Sequence, residues 1–169
     1  MFYYLIRTGF NGLCRFNSEG SFNVPFGRHA NINYKINFAE YKRLFQYWEL
    51  VHGDFMALNL SGTEFIYADP PYDVEFTRCN AQNFIWQDQI RLAEWLKKHD
   101  GPVVASNQAT VRIQELYRDL KFKVFLLPAP RMIACNGDRT PAIEILAVRN
   151  VSRTVISTLK SSCAAHTRL

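Results

Sequence analysis

Residues 64–72 read Glu-Phe-Ile-Tyr-Ala-Asp-Pro-Pro-Tyr, and they constrain the fold more than any other stretch of the 169-residue chain. After Glu64 comes a short run of aromatic and apolar side chains, the composition of a strand with a buried side. Asp69 stands at the end of that run, and Pro70 and Pro71 follow it. Two prolines in succession fix φ and remove two N–H donors, so no β-ladder passes through them. A strand stopped in this way has its acid at the carboxyl end, which is where open α/β sheets collect their ligands.

The rest of the chain supplies neighbours for such a strand. Residues 48–51, 102–105, 122–127 and 142–148 are further short apolar runs. Residues 87–99 are predicted helical: Asp88 lies near the start, Lys97, Lys98 and His99 fall in the last turn, and Gly101 follows as a stop. Thr110 can cap a second helix, in which Ile113, Leu116, Tyr117 and Leu120 recur at helical spacing. Strands alternating with helices predict an α/β fold with a mostly parallel sheet. The first 37 residues show no helical period and are rich in Asn, Gly and Phe. The tail from Val151 is rich in Ser and Thr and is expected to be poorly ordered. The expected organisation is thus an N-terminal segment over 1–37, a catalytic-type domain over 38–150 and a tail over 151–169.

Composition narrows the class. Apolar residues make up 48% and charged residues 21%, which is globular rather than disordered. No run nears the length of a membrane span, and the N-terminus lacks the pattern of a signal peptide, so the sequence reads as cytoplasmic. Cys14, Cys79, Cys135 and Cys163 form no paired spacing and have no histidine neighbours, which argues for reduced thiols and against a metal site. The formal net charge is +5. Basic residues outnumber acidic ones in 1–43 and 151–169, while the middle is slightly acidic. A basic N-terminal segment can touch phosphates.

The acid and the prolines suggest a chemistry. With two donors removed, carbonyls of this stretch can face outward as acceptors. A carboxylate beside a free carbonyl accepts both hydrogens of an amino group, and Tyr72 adds a flat face for stacking. Together they describe a pocket for an exocyclic amine on a planar base. The plainer alternative is that Asp-Pro is a turn and Pro-Pro a strand terminator. Near the N-terminus, Asn11-Gly12 is a turn dipeptide. If 13–17 is extended, Leu13, Arg15 and Asn17 share one side, and Cys14 and Phe16 the other. Residues 17–20 can turn this strand into a second one over 22–26. A two-stranded ribbon fits the major groove, and arginine, amide and methyl groups read base edges there.

Four ordered segments then support a family resemblance. Asp69-Pro70-Pro71-Tyr72 resembles the catalytic motif of S-adenosylmethionine-dependent amino-methyltransferases. Residues 9–17 with 22–27 resemble the target-recognition segment of the DNA adenine methyltransferases that act on N6 in GATC. Ser106-Asn107-Gln108 and residues 131–137 resemble later segments of that family, in the expected order. The resemblance covers about residues 1–150.

It implies specific roles. Asp69 and the Pro70 carbonyl would accept from the amine of a flipped adenine, Tyr72 would stack on the base, and Pro71 would hold the turn. Asp54 and Phe55 would meet the adenosine part of S-adenosylmethionine, with Asp69 beside it, although Gly53-Asp54 is also an ordinary turn that can start a helix. The DNA-contacting set would be Phe10, Asn11, Leu13, Arg15, Asn17, Pro25 and Arg28, in double-stranded DNA. Phe10 and His29 replace tyrosines common in the family. Glu75, Arg78 and Asn80 follow in a polar loop that covers the site in the family; they read first as solvated residues and second as lid residues. The implied fold is a partial Rossmann-like methyltransferase sheet with an N-terminal β-hairpin from the target-recognition domain. The family also has a Phe-x-Gly-x-Gly type cofactor segment ahead of the ribbon, which this sequence lacks. The expectation is therefore the C-terminal portion of such an enzyme, acting with a missing N-terminal part. The alternative is an inactive fragment that only binds DNA. An RNA or protein methyltransferase fits the ribbon less well.

Overall fold

The computed structural model describes residues 1–73, 84–129 and 141–166, with side chains through residue 163. The loop with Glu75, Arg78 and Asn80 and the segment 131–137 lie outside the described residues. The rest divides into two compact units, one over residues 1–57 and one from residue 58 onward. The division falls after Ala57, where the sequence suggested a boundary after residue 37.

The second unit is built on a four-stranded sheet in the order β1-β2-β4-β3. Its strands are β1 (Ile66–Ala68), β2 (Val103–Gln108), β3 (Lys123–Ala129) and β4 (Ala142–Arg149). Three helices accompany them: α3 (Trp86–Lys97), α4 (Val111–Asp119) and α5 (Arg153–His166). The first unit carries α1 (Phe2–Thr8) and α2 (Ala39–Phe45).

The sheet, expected to be mostly parallel, is mixed. β1 pairs parallel with β2, but β4 pairs antiparallel with both β2 and β3. β1, β2 and β3 therefore run one way, and β4 enters between β2 and β3 in the opposite direction. The sequence carried the signal: helices were expected after the strands at 64–68 and 102–105, but none between those at 122–127 and 142–148. A strand pair with no crossover helix between its members is the antiparallel case.

The core lies around β2 and β4. Val103, Ala105, Ile145 and Ala147 are fully buried there, with Ala93 and Leu96 of α3 and Ile113 and Tyr117 of α4. Gln89, Leu92, Ala93 and Leu96 mark one buried face of α3 at helical spacing. The Asp88 carboxylate accepts from the Ile85 amide at 3.0 Å and stabilises the start of this helix. Thr110 caps α4 as expected, accepting from the Ile113 amide. Tyr117 meets the Phe122 ring edge-on at 5.2 Å.

Three further expectations change. Residues 48–51 form no strand: Trp48, Leu50 and Val51 are 62%, 82% and 64% exposed, and the Trp48 amide closes a turn on the Phe45 carbonyl. A strand needs a neighbour for its ladder, and the described part of that unit has no named strand. Residues 2–8, read as aperiodic, form α1; the Thr8 hydroxyl donates to the Tyr4 carbonyl and Gly9 ends the helix. The tail, expected to be poorly ordered, forms α5, which packs on β3 through Ile156. Its Ser and Thr residues bond back into the helix: Thr158 to the Thr154 carbonyl and Ser161 to the Ser157 carbonyl, both at 3.1 Å. Among the described residues no helix is long and apolar enough to cross a membrane.

Candidate active site and nucleic-acid ribbon

β1 ends at Ala68, opposite Ala105 of β2 in parallel register. Asp69 comes next, followed by the turn through Tyr72 to Asp73. The carboxyl ends of β1 and β2 lie here with the start of β4, because Gln108 pairs with Glu144. This is the edge at which open sheets bind ligands.

Side chains from α3, β2 and β4 fix the turn. Ser106 donates from its hydroxyl to Asp69 Oδ1 at 2.7 Å, and Tyr67 donates to the Ser106 oxygen at 3.2 Å. The Pro71 carbonyl accepts from Gln89 Nε2 at 2.8 Å. The Asp73 amide donates to Asn107 Oδ1 at 3.0 Å, and Asn107 Nδ2 donates to Gln89 Oε1 at 3.0 Å. Beyond the turn, the Asp73 carboxylate accepts from the Thr110 hydroxyl at 3.0 Å and pairs with the Arg112 guanidinium. Arg112 in turn lies over the Trp86 ring at 4.7 Å.

Two acceptors are left over. Among the described residues, Asp69 Oδ2 and the Pro70 carbonyl have no donor. Asp69 is exposed and Pro70 partly so. Tyr72 is half-buried, and its phenol donates to Glu144 Oε2 at 3.1 Å. Burial first, and then the neighbouring Glu144 carboxylate, push that phenol up to about 12, against a lowering contribution from Ser106. The ring is therefore neutral and tethered at its hydroxyl end.

The structure thus brings Asp69, Pro70, Pro71 and Tyr72 together with Ser106 and Asn107. Sequence reasoning missed Tyr67, Asp73, Gln89, Arg112 and Glu144. One usable signal existed: Ser106, Asn107 and Gln108 are polar residues directly following an apolar strand, at a ligand-collecting edge. They prolong β2 itself, and Asn107 is fully buried.

In the first unit, residues 10–27 form the ribbon. The Phe10 amide donates to the Pro25 carbonyl, Asn23 to Arg15 and Gly27 to Thr8, at 2.8, 3.1 and 2.7 Å. Among the described residues two isolated antiparallel bridges form, Gly9 with Phe26 and Phe16 with Phe22, so the ribbon is irregular rather than a regular hairpin. Asn11 and Gly12 take left-handed conformations (φ 52° and 67°) in a single 3-10 turn, Phe10–Gly12. Asn17 makes the tip: its Oδ1 accepts from the Glu19 and Ser21 amides at 3.1 and 2.8 Å. Its side-chain oxygen thus shapes the ribbon. Arg15 is exposed and held across the ribbon by Asn23, from Nε to Oδ1 at 2.8 Å and from Nη2 to the carbonyl at 2.9 Å. Its Nη1 has no partner among the described residues. Phe10 is 41% exposed, Leu13 half-buried, and Pro25 and Arg28 exposed.

Asp54 and Phe55, in the same unit, lie at a second 3-10 turn, Phe55–Ala57. Asp54 Oδ1 accepts from the Met56 amide at 2.9 Å, so the turn-forming role is present.

Comparison with known proteins gives the family of the chain. The family model for D12 class N6 adenine-specific DNA methyltransferases matches residues 1–129. The retron Ec67 DNA adenine methylase of Escherichia coli is 34% identical over 87% of this chain and 53% of its own length. The DNA adenine methylase of Escherichia coli strain K12 is 34% identical over 88% of this chain and 57% of its own. The type II methyltransferase M.MjaIII of Methanocaldococcus jannaschii is 34% identical over 82% and 52%. The chain spans about half the length of the curated relatives it matches.

Proposed function

Because this chain belongs to the D12 class N6 adenine-specific DNA methyltransferase family, we propose that it serves methyl transfer to adenine N6 in double-stranded DNA, at GATC sites. The observation that carries the reading is the pair of open acceptors, Asp69 Oδ2 and the Pro70 carbonyl, beside the tethered Tyr72 ring.

That pair suits an exocyclic amine. Each acceptor takes one N–H, which turns the nitrogen lone pair out of conjugation with the ring and toward an incoming electrophile. Ser106 occupies Oδ1 and so holds the carboxylate in one orientation. Tyr72 offers its face to the base while Glu144 holds its hydroxyl. A base must leave the duplex to reach such a pocket, at a cost of a few kcal/mol that stacking and the two hydrogen bonds offset. S-adenosylmethionine, when bound, supplies the electrophilic methyl group. Asp54 and Phe55 are the residues that would hold its adenosine part.

The ribbon supports the choice of DNA. Arg15 and Leu13 are the types that read base edges in the major groove, and Arg28 can meet a phosphate. Phe10 and Asn11 would also contact the DNA, and Pro25 and Asn17 would shape the ribbon's approach to it.

The test is transfer of a labelled methyl group from S-adenosylmethionine to unmethylated duplexes with and without GATC. Labelling only of the GATC duplex is the expected result. Labelling regardless of sequence would remove the GATC assignment. Absence of labelling in a folded sample that still binds DNA would replace transfer with DNA binding alone.

A further inference from the structure

Two buried amides have no part in the reading above. Gln89 on α3 is 2% exposed and Asn107 on β2 is 0% exposed. An apolar residue would fill either place without the penalty of desolvating an amide. These side chains nevertheless satisfy each other and the backbone. Asn107 Oδ1 takes the Asp73 and Gln108 amides at 3.0 and 2.8 Å. Both of those partners are N–H donors, so the oxygen of Asn107 must face them and its Nδ2 must face Gln89. Gln89 then accepts on Oε1 and donates from Nε2 to the Pro71 carbonyl at 2.8 Å. The partners alone fix which way each amide points.

The chain of bonds reaches the backbone on both sides of Tyr72 and bypasses the residues that would touch the base. Resting on the adenine-amine reading, we propose that Gln89 and Asn107 form a positioning clamp for the turn, one that draws the Pro71 carbonyl and the Asp73 amide inward. The Pro70 carbonyl is then the one left open as an acceptor, and the Tyr72 ring is held where its hydroxyl meets Glu144. Neither clamp residue touches substrate; both act through the turn.

Gln89→Glu and Asn107→Asp test the clamp. The first turns an acceptor toward the Pro71 carbonyl. The second keeps Oδ1 but loses the donation to Gln89. Gln89→Met, of similar length, removes both bonds with packing retained, and replaces Gln89→Glu if that variant does not fold. A readout independent of activity is the Tyr72 phenol, followed by NMR of 13Cζ-labelled tyrosine and assigned with Tyr72→Phe. Among the described residues the groups that act on this phenol are Glu144, Asp69 and Ser106; Gln89→Met leaves all three and adds no charge, so the titration is read on that variant, because a carboxylate introduced by Gln89→Glu or Asn107→Asp would itself raise the phenol. In the unmodified chain Tyr72 stays protonated as pH rises from about 8 to about 11. In Gln89→Met its midpoint falls from about 12 toward 10, the value of an ordinary phenol. The second readout is methyl transfer: kcat falls about 100-fold, the scale of a misplaced reacting geometry, with KM for DNA unchanged. A Tyr72 midpoint that stays put in folded Gln89→Met overturns the clamp. If the unmodified chain transfers no methyl group, the functional reading fails while the titration still decides the clamp.

Discussion

The Asp69–Asp73 turn and the ribbon at 10–27 are both polar loops, yet they are held in opposite ways. The turn's partners lie far along the chain: Ser106 is 37 residues from Asp69, and Glu144 is 72 from Tyr72. The ribbon's partners are close: Asn23 is 8 residues from Arg15, and Ser21 is 4 from Asn17. The turn takes its shape from a packed core, through amides that are themselves buried. The ribbon takes its shape from its own backbone and two or three exposed side chains. Chemistry that needs fixed atom positions sits on the first kind of support, and reading of a partner's surface sits on the second.

Removing Asp69 tests this contrast most severely. Asp69→Ala is expected to abolish methyl transfer in the labelled-methyl assay while DNA binding by gel shift persists. Loss of binding as well would place Asp69 in the fold and collapse the distinction. Next comes the core beneath the turn. Ile145 is fully buried on β4, beside Glu144, and Ile145→Ala is expected to cost about 2–5 kcal/mol in urea unfolding. The turn should lose its geometry with it, while the backbone bonds of the ribbon, followed by amide exchange, stay as they are.

The same contrast explains what the sequence could reveal. The turn at Asn17, the end of β1 at Asp69 and the Thr110 cap were legible because each rests on local rules: an Asx turn, consecutive prolines, a hydroxyl before a helix. The helix faces of α3 and α4 were legible because period repeats within one element. Gln89 was not, since a single amide on an apolar face looks like any polar interruption until β2 is placed against it. Glu144 was hidden for a related reason. It reads as an ordinary alternating residue in a strand, and only the antiparallel entry of β4 brings it to Tyr72. Residues 48–51 show the converse error, because apolar composition suggests a strand but cannot provide a neighbour.

Effects in the ribbon should be smaller and of another kind. Arg15→Ala is expected to cost about 1–3 kcal/mol at the cognate site and little elsewhere, the signature of a lost base contact. Competition binding with GATC and scrambled duplexes measures this. An equal loss on both duplexes would make Arg15 a phosphate contact. Asn17→Ala removes the acceptor for two amides at the tip. It should loosen the ribbon by about 1 kcal/mol per lost bond, seen as faster amide exchange at Glu19 and Ser21, with the unfolding midpoint of the second unit unchanged.

The smallest expected effect compares the two ends of β1. Asp69 closes its carboxyl end and accepts from one hydroxyl. Glu64, just before the strand, accepts from the backbone amides of Ser61, Gly62 and Thr63 at 2.7, 3.0 and 3.1 Å. These donors, the Ser61 amide foremost, favour the charged form and hold Glu64 down at about 2, from an ordinary 4.5. A depressed carboxylate pKa stabilises the fold above the unfolded value, and the contribution fades as pH falls from about 4.5 toward 2. The group is exposed, so solvent screening keeps the effect small. NMR of the Glu64 side-chain carboxyl carbon should give a midpoint near 2, with the Ser61 and Gly62 amide signals moving in step. Glu64→Gln keeps one acceptor oxygen and should remove that titration while leaving methyl transfer unchanged, because the amide-filled end of β1 serves the turn at 61–64 and the open end serves the site. A midpoint near 4.5 would show that the three amides do not hold the carboxylate in solution, and the two ends of the strand would then differ in sequence alone.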